Sequence, residues 1–269
     1  MKTVSRKRVS SKQLILSVLF CSLLIAHCSL SWAAIAVVQS VGVQAAGVSS
    51  ITTSPNINTT SGNMMICDGA YYLSGQSFNS MSDNKSNVWP DSISEVASSA
   101  DSDSRGQQRF SNPITGGSGH NFTMSFTGTV SVALACKEVS GQATSGVLDR
   151  ISTTNDNGGN TGISSGLTAA TTQANELLAG FGFLGVGLSD EINFTATGGF
   201  TANVNLTHFS GGAQGLISAS RIDSTIGQKQ FTFDMDASPD TFGTVAGIST
   251  WKASGAAPVV KIRRRPILQ

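Results

Sequence analysis

The chain has 269 residues, with 17 Lys+Arg, 16 Asp+Glu, 29 Gly and 6 Pro. Charged residues make up 12% of it, about half of the roughly 25% usual for soluble domains, while 39% hydrophobic residues suffice for a core. This balance excludes a basic nucleic-acid binder, a coiled coil and a highly charged disordered chain.

Residues 1–33 read as a secretory signal peptide. Lys2, Arg6, Lys7, Arg8 and Lys12 form a basic start, and 14–26 is an apolar run too short to span a bilayer comfortably. Ser31 and Ala33 then place small residues at −3 and −1 of a cleavage site, with a second option after Ala36. His27 precedes Cys28 where a lipoprotein site needs a small residue. Beyond residue 33 the chain holds 12 Lys+Arg and 16 Asp+Glu. Four of those bases are Lys261, Arg263, Arg264 and Arg265, so the body 34–260 carries a net charge of −8. An acidic body disfavours nucleic acid and anionic membrane as partners.

The rest of the chain lacks helical periodicity and alternates short β-rich runs with Gly/Ser/Asn/Asp turns. In chain order the predicted strands are 34–40, 50–53, 63–73, 77–80, 107–111, 121–126, 130–139, 166–172, 176–185, 192–197, 201–208, 215–223, 230–234 and 243–252. Phe122, Met124 and Phe126 alternate with polar residues, as do Phe231 and Phe233, which gives each strand one wet and one buried face. Many such strands are buried by stacking two sheets. Val130 to Val139 is apolar on both faces and reads as a central strand. The polar stretch 91–106 reads as a long surface loop, and 254–269 as a flexible basic tail behind a domain at 34–253. Cys67 and Cys136 fall in predicted strands. They form either one disulfide in an oxidising compartment or two buried thiols.

The order of several short motifs carries a resemblance. They are Ile35-Ala36-Val37-Val38, Ser61-Gly62-Asn63-Met64-Met65 and Asp83-Asn84-Lys85-Ser86-Asn87-Val88-Trp89. Glu138-Val139-Ser140-Gly141, Gln173-Ala174-Asn175-Glu176-Leu177-Leu178 and Trp251-Lys252-Ala253 follow. Over about 35–253 the chain resembles a poorly characterised group of secreted and phage-encoded β-sandwich modules of jelly-roll, lectin-like type. Val88, where Thr or Ser is more usual, and the basic tail depart from that pattern. The resemblance implies an extracellular binding or structural module.

Chemistry-bearing residues are sparse. Gly116-Gly117-Ser118-Gly119-His120 lacks the last glycine of a nucleophile elbow and reads as a turn. Glu138 and Glu176 are charges in apolar strands. They serve either as a glycosidase pair across one cleft or as strand ends bonded to backbone. Asn155-Asp156-Asn157 and Asp83-Asn84 are oxygen-rich, as calcium loops and ordinary tight turns both are. Sugar rings stack on exposed aromatics, and the candidates are Tyr71, Tyr72, Trp89 and Trp251.

The expectation is therefore an all-β chain: an antiparallel two-sheet β-sandwich of jelly-roll, lectin-like type, secreted and non-catalytic. The expected partner is an extracellular or cell-surface carbohydrate, bound by Trp89, Asp83, Asn84 and Tyr72. The alternative is a structural or adhesive surface or virion-type protein without a small ligand, and a glycoside hydrolase comes third. No cofactor, metal, nucleic-acid partner or membrane anchor in the mature chain is expected.

Overall fold

The computed structural model describes residues 34–99, 102–156, 161–184, 191–208, 214–236 and 243–255. The expected signal segment, nearly all of the expected tail, Asn157 and the Gly211-Gly212 turn lie outside the described residues.

The described residues form strands and no helix. The first half of the chain supplies β1 (Ala36–Thr52), β2 (Ile57–Thr59), β3 (Met64–Tyr72), β4 (Phe78–Asp83), β5 (Asp91–Ala97), β6 (Ser104–Ser111), β7 (Gly117–His120) and β8 (Phe122–Ser140). Six of these form a first sheet in the order β1-β8-β3-β6-β5, with β4 also on β8, while β2 and β7 pair separately. The second half supplies β9 (Leu148–Asp156), β10 (Gly162–Ser164), β11 (Glu176–Leu184), β12 (Phe194–Ala196) and β13 (Thr201–Leu206). It ends with β14 (Leu216–Asp223), β15 (Thr232–Met235) and β16 (Thr244–Trp251). A second sheet runs β13-β14-β11-β16-β9, and a small third sheet runs β10-β15-β12. Every pairing among these named strands is antiparallel.

The two main sheets stack. Small residues of the first sheet, Ala70, Ala133 and Ala135, meet Phe181, Phe183, Leu216 and Val245 of the second. A Cβ on Gly106 would lie 2.3 Å from the Phe183 ring, so only glycine admits that ring. At one end Ile35, Met64, Ile66 and Val139 pack with Leu177, Ala179 and Trp251. Trp251 meets Phe110 edge-on at 5.0 Å. Full burial of each large apolar side chain stabilises the stack by roughly 1.5–3 kcal/mol. The chain passes between the main sheets once, after β8, because each sheet draws its strands from one half of the sequence.

Both outer faces are covered too. Phe231 and Phe233 of the β15 region lie flat over the second sheet, where a Cβ on Gly180 or Gly182 would fall 2.3 or 2.2 Å from their rings. The first sheet is covered by its own chain. Val130 to Val139 sits in the sheet, while Phe122, Met124 and Phe126 cluster with Cys67, Tyr71, Val132 and Leu134 on its outer face. Met124 reaches Gly69 of β3, which leaves room for its side chain.

The all-β expectation holds, and several local expectations are corrected: the predicted runs 34–40 and 50–53 fall in the single strand β1, and the turn read at 116–120 contains β7. The predicted runs 121–126 and 130–139 belong to one strand, β8, bent between its halves. The predicted loop 91–106 contains β5 and the start of β6. Its apolar residues are few, but Ile93 is buried and Ser92 donates to the carbonyl of Gln108 at 3.1 Å. The sequence pattern misses the short strands β2, β7 and β10 and also β9, an edge strand that among the described residues pairs only with β16 and therefore buries little. Finally, 166–172 is not a strand: Ser165, Thr168 and Thr171 donate their amides to the carbonyls of Phe231, Lys229 and Gly227, and their hydroxyls, not their carbonyls, accept the return bonds, so no backbone ladder forms.

Candidate functional site

Three of the four candidate residues meet where the β4–β5 connection crosses residues 115–121. Asp83 ends β4, and its carboxylate organises the turn that follows. Oδ1 accepts from the amides of Lys85 at 2.8 Å and Asn87 at 3.1 Å. Oδ2 accepts from Asn87 Nδ2 at 2.9 Å and Trp89 Nε1 at 3.1 Å. Burial works against the Asp83 charge, but the hydrogen bonds from Asn87 and Lys85 prevail and hold its pKa below the usual value. Asn84 ties the turn to the neighbouring loop: Nδ2 donates to the Gly119 carbonyl at 2.8 Å and Oδ1 accepts from the Asn121 amide at 3.2 Å.

Trp89 is only 6% exposed and meets Phe122 edge-on at 5.7 Å. It belongs to the core on the outer face of the first sheet, so the expectation that it forms a platform at a loop mouth is corrected. Tyr72 stands apart. It pairs with Ser104 in register, whereas Trp89 is bound through its carbonyl to Arg109, which pairs with Cys67. Five positions along β3 separate those pairings, roughly 17 Å. Tyr71 faces the opposite way to Tyr72, fully buried, with its hydroxyl on Glu95 at 2.6 Å. Trp251 is buried as well, and its indole N–H donates to Ser249 Oγ at 2.7 Å.

A residue not assigned a role from sequence, His120, completes the cluster. Its Nδ1 lies 2.7 Å from Thr59 Oγ1 and its Nε2 lies 3.4 Å from Asp83 Oδ2. Acid, imidazole and hydroxyl in a row resemble a nucleophile relay. A nucleophile must meet substrate, however, and His120 is fully buried while Thr59 is 7% exposed. Burial also lowers the His120 pKa, which Asp83 only partly offsets. The ring packs on Phe122 at 4.5 Å between centroids. The row closes the core.

The two carboxylates offered as a glycosidase pair do not meet. Glu138 faces the outer side of the first sheet and accepts from the Thr60 amide at 2.8 Å, Asn63 Nδ2 at 2.6 Å and Gln39 Nε2. Glu176 lies two residues before Leu178 on β11, so it shares that residue's face, the outer side of the second sheet. Both sheets, about 10 Å apart, lie between them. Burial pushes the Glu176 carboxyl up to about 7; Asp149 adds to the rise, and Thr250 and Lys252 oppose it.

Among the described residues no group of three or more His, Cys, Asp and Glu is placed to hold a metal ion. Of the segments read as oxygen-rich loops, Asn155 and Asp156 lie in β9, with Asn155 Nδ2 donating to the Ala97 carbonyl at 3.2 Å, and Asp83 and Asn84 are bonded as above.

A second polar cluster lies between the main sheets. Asp68 and Lys137 are fully buried, with Nζ 3.2 Å from Oδ2. Gln108 Nε2 donates to Asp68 Oδ1 at 2.7 Å and Ser218 Oγ donates to Oδ2 at 2.6 Å. Lys137 Nζ donates to the Ala219 carbonyl at 3.1 Å. Ser92 donates to Gln108 Oε1 at 2.9 Å, and Ser249 reaches the same oxygen from the second sheet. The signal for this cluster is a charge inside each of two apolar strands, which identifies Asp68 and Lys137 but not their partnership. On the other face of the same strands Cys67 and Cys136 form a disulfide, directly opposite one another in register. Comparison of the chain with protein-family models, curated proteins and solved structures finds no match.

Proposed function

We propose that the protein is a non-catalytic β-sandwich module of an extracellular surface, structural or adhesive in role. The observation that carries this reading is the internal commitment of its chemically able side chains. Asp83, Asn84, Trp89, His120 and Glu138 are bonded to other parts of the chain, and the buried aromatics pack against each other. A sugar site of the expected kind needs an aromatic face and polar groups turned outward. The Cys67–Cys136 disulfide and the basic-then-apolar start of the sequence support an oxidising, extracellular setting. Ile35 and Trp251 pack in one cluster, so the first strand begins and the last strand ends at the same end of the stacked sheets.

Beads coated with the purified chain test this. They are expected to adhere to cells or matrix, or to one another, without competition by free glycans or by a calcium chelator, and the chain is expected to give no sugar-specific signal on a glycan array. Sugar-competed binding lost in Tyr72→Ala or Asn84→Ala restores the carbohydrate reading. Turnover of a chromogenic glycoside or ester overturns the non-catalytic one.

A further inference from the structure

A lysine is almost never fully buried without a partner that holds it there. Lys137 is such a lysine, and its acidic partner Asp68 is equally shielded, with Nζ 3.2 Å from Oδ2. The two lie diagonally on adjacent strands: Lys137 is opposite Ile66, and Asp68 is opposite Ala135. An ion pair in so dry a place carries a large desolvation penalty, which attraction between the charges offsets only in part. The surrounding groups treat the two carboxyl oxygens differently. Oδ1 receives Gln108 Nε2 at 2.7 Å, while Oδ2 receives Ser218 Oγ at 2.6 Å and faces Nζ.

We propose that the folded chain joins Lys137 Nζ to Asp68 Cγ in an intramolecular amide bond. Transfer of one proton within the pair gives a neutral amine and a carboxylic acid. Burial lowers the pKa of Lys137 and so favours the neutral amine. The Nζ lone pair attacks Cγ, and charge gathers on Oδ1, where Gln108 already donates. The N–C bond forms and the Cγ–Oδ2 bond breaks. Oδ2 leaves as water, carrying its own proton and one from Nζ. Nitrogen keeps one hydrogen and still donates to the Ala219 carbonyl. Nothing is oxidised or reduced, and no co-reactant is needed. The ordered partners replace the reorganisation that the same reaction requires in water. A core closed to solvent withholds the water that the reverse reaction consumes.

The product is a second covalent link between β3 and β8. The disulfide joins Cys67 to Cys136 on one face of the sheet, and the amide joins the next residue of each strand on the other. The inference is independent of the surface role proposed above, since it concerns only the core.

Peptide mass mapping of the full-length protein, purified folded, then reduced and alkylated, tests it. The expected finding is a branched peptide joining the Asp68 and Lys137 segments, one water lighter than their sum, with no cleavage after Lys137 by a lysine-specific protease. Lys137→Arg keeps the charge but replaces the amine with a poor nucleophile, and is expected to give two linear peptides. Gln108→Leu is expected to slow formation of the branched peptide in freshly made protein. Linear Asp68 and Lys137 peptides of full mass from wild-type protein kept folded for days overturn the proposal. That readout needs no variant to fold.

Discussion

Glu176 places a carboxyl where the fold favours its neutral form. Its pKa rises from 4.5 to about 7, first through burial and then through the neighbouring Asp149, against the pull of Thr250 and Lys252. The folded state therefore binds more protons than the unfolded state between those two values. Stability falls as pH rises through that window, and the loss is complete above about 7. A shift of this size corresponds to roughly 2–3 kcal/mol once some solvent relaxation is allowed. Glu176→Gln keeps the shape and removes the charge. Its denaturation midpoint should exceed that of wild type at pH 8 and nearly match it at pH 4.5, which urea melts at the two pH values will show. Equal effects at both pH values would mean that the carboxyl is already neutral, or ionised without penalty. The sequence marks Glu176 as unusual, because a charge sits beside Leu177 and Leu178. It does not show that Asp149, on a strand the sequence pattern misses, is the neighbour.

At the scale of elements, alternation made most strands legible, and the edge strands it missed share one physical origin. Strands that bury one full face announce themselves, as Phe122-Thr123-Met124-Ser125-Phe126 does. Edge strands such as β5 and β9 satisfy one side of their backbone only and need few apolar residues, so their sequences look like loops. The aromatic strand residues were legible as core, but the glycines that receive them were not. Gly180 and Gly182 lie on β11 beneath Phe231 and Phe233. A methyl group at Gly180 would fall 2.3 Å from the Phe231 ring. Gly180→Ala should therefore destabilise the protein by about 1–3 kcal/mol, as overpacked cores do. Adding Phe231→Leu should recover part of the loss, because it removes the ring that the methyl meets. Thermal melts of the single and double variants check this. Additive losses would show that strain in the β11 backbone, not the ring, sets the penalty. Asp83, Asn84 and Trp89 do come together, as their spacing suggests, but Trp89 turns inward while Asn84 stays exposed, and period-2 alternation cannot orient a residue in a turn.

The whole molecule joins two sheets that each belong to one half of the chain, a wiring that local sequence patterns do not contain. The halves meet through Phe181, Phe183, Leu216, Val245 and Trp251 on one side and Met64, Ile66, Ala70 and Val139 on the other. Polar groups cross the same boundary: Ser218 bonds Asp68, Lys137 bonds the Ala219 carbonyl and Ser249 bonds Gln108. Neither half can satisfy its inner face alone. The first would expose Asp68 and Lys137 among apolar neighbours, and the second would expose two phenylalanines and a tryptophan. The link between the halves contains Thr144 and Ser145, both exposed. Dividing the chain between them removes one covalent connection and few contacts, and effective concentration then becomes the main loss. The two fragments, co-expressed in an oxidising compartment, should co-purify as a one-to-one complex with the far-ultraviolet spectrum of the intact protein. Each fragment expressed alone should aggregate or bind a hydrophobic dye. If the first fragment folds alone into a stable, soluble sheet, the buried Asp68–Lys137 cluster does not depend on the second sheet, and the boundary between the halves is an association of two finished domains rather than one shared core.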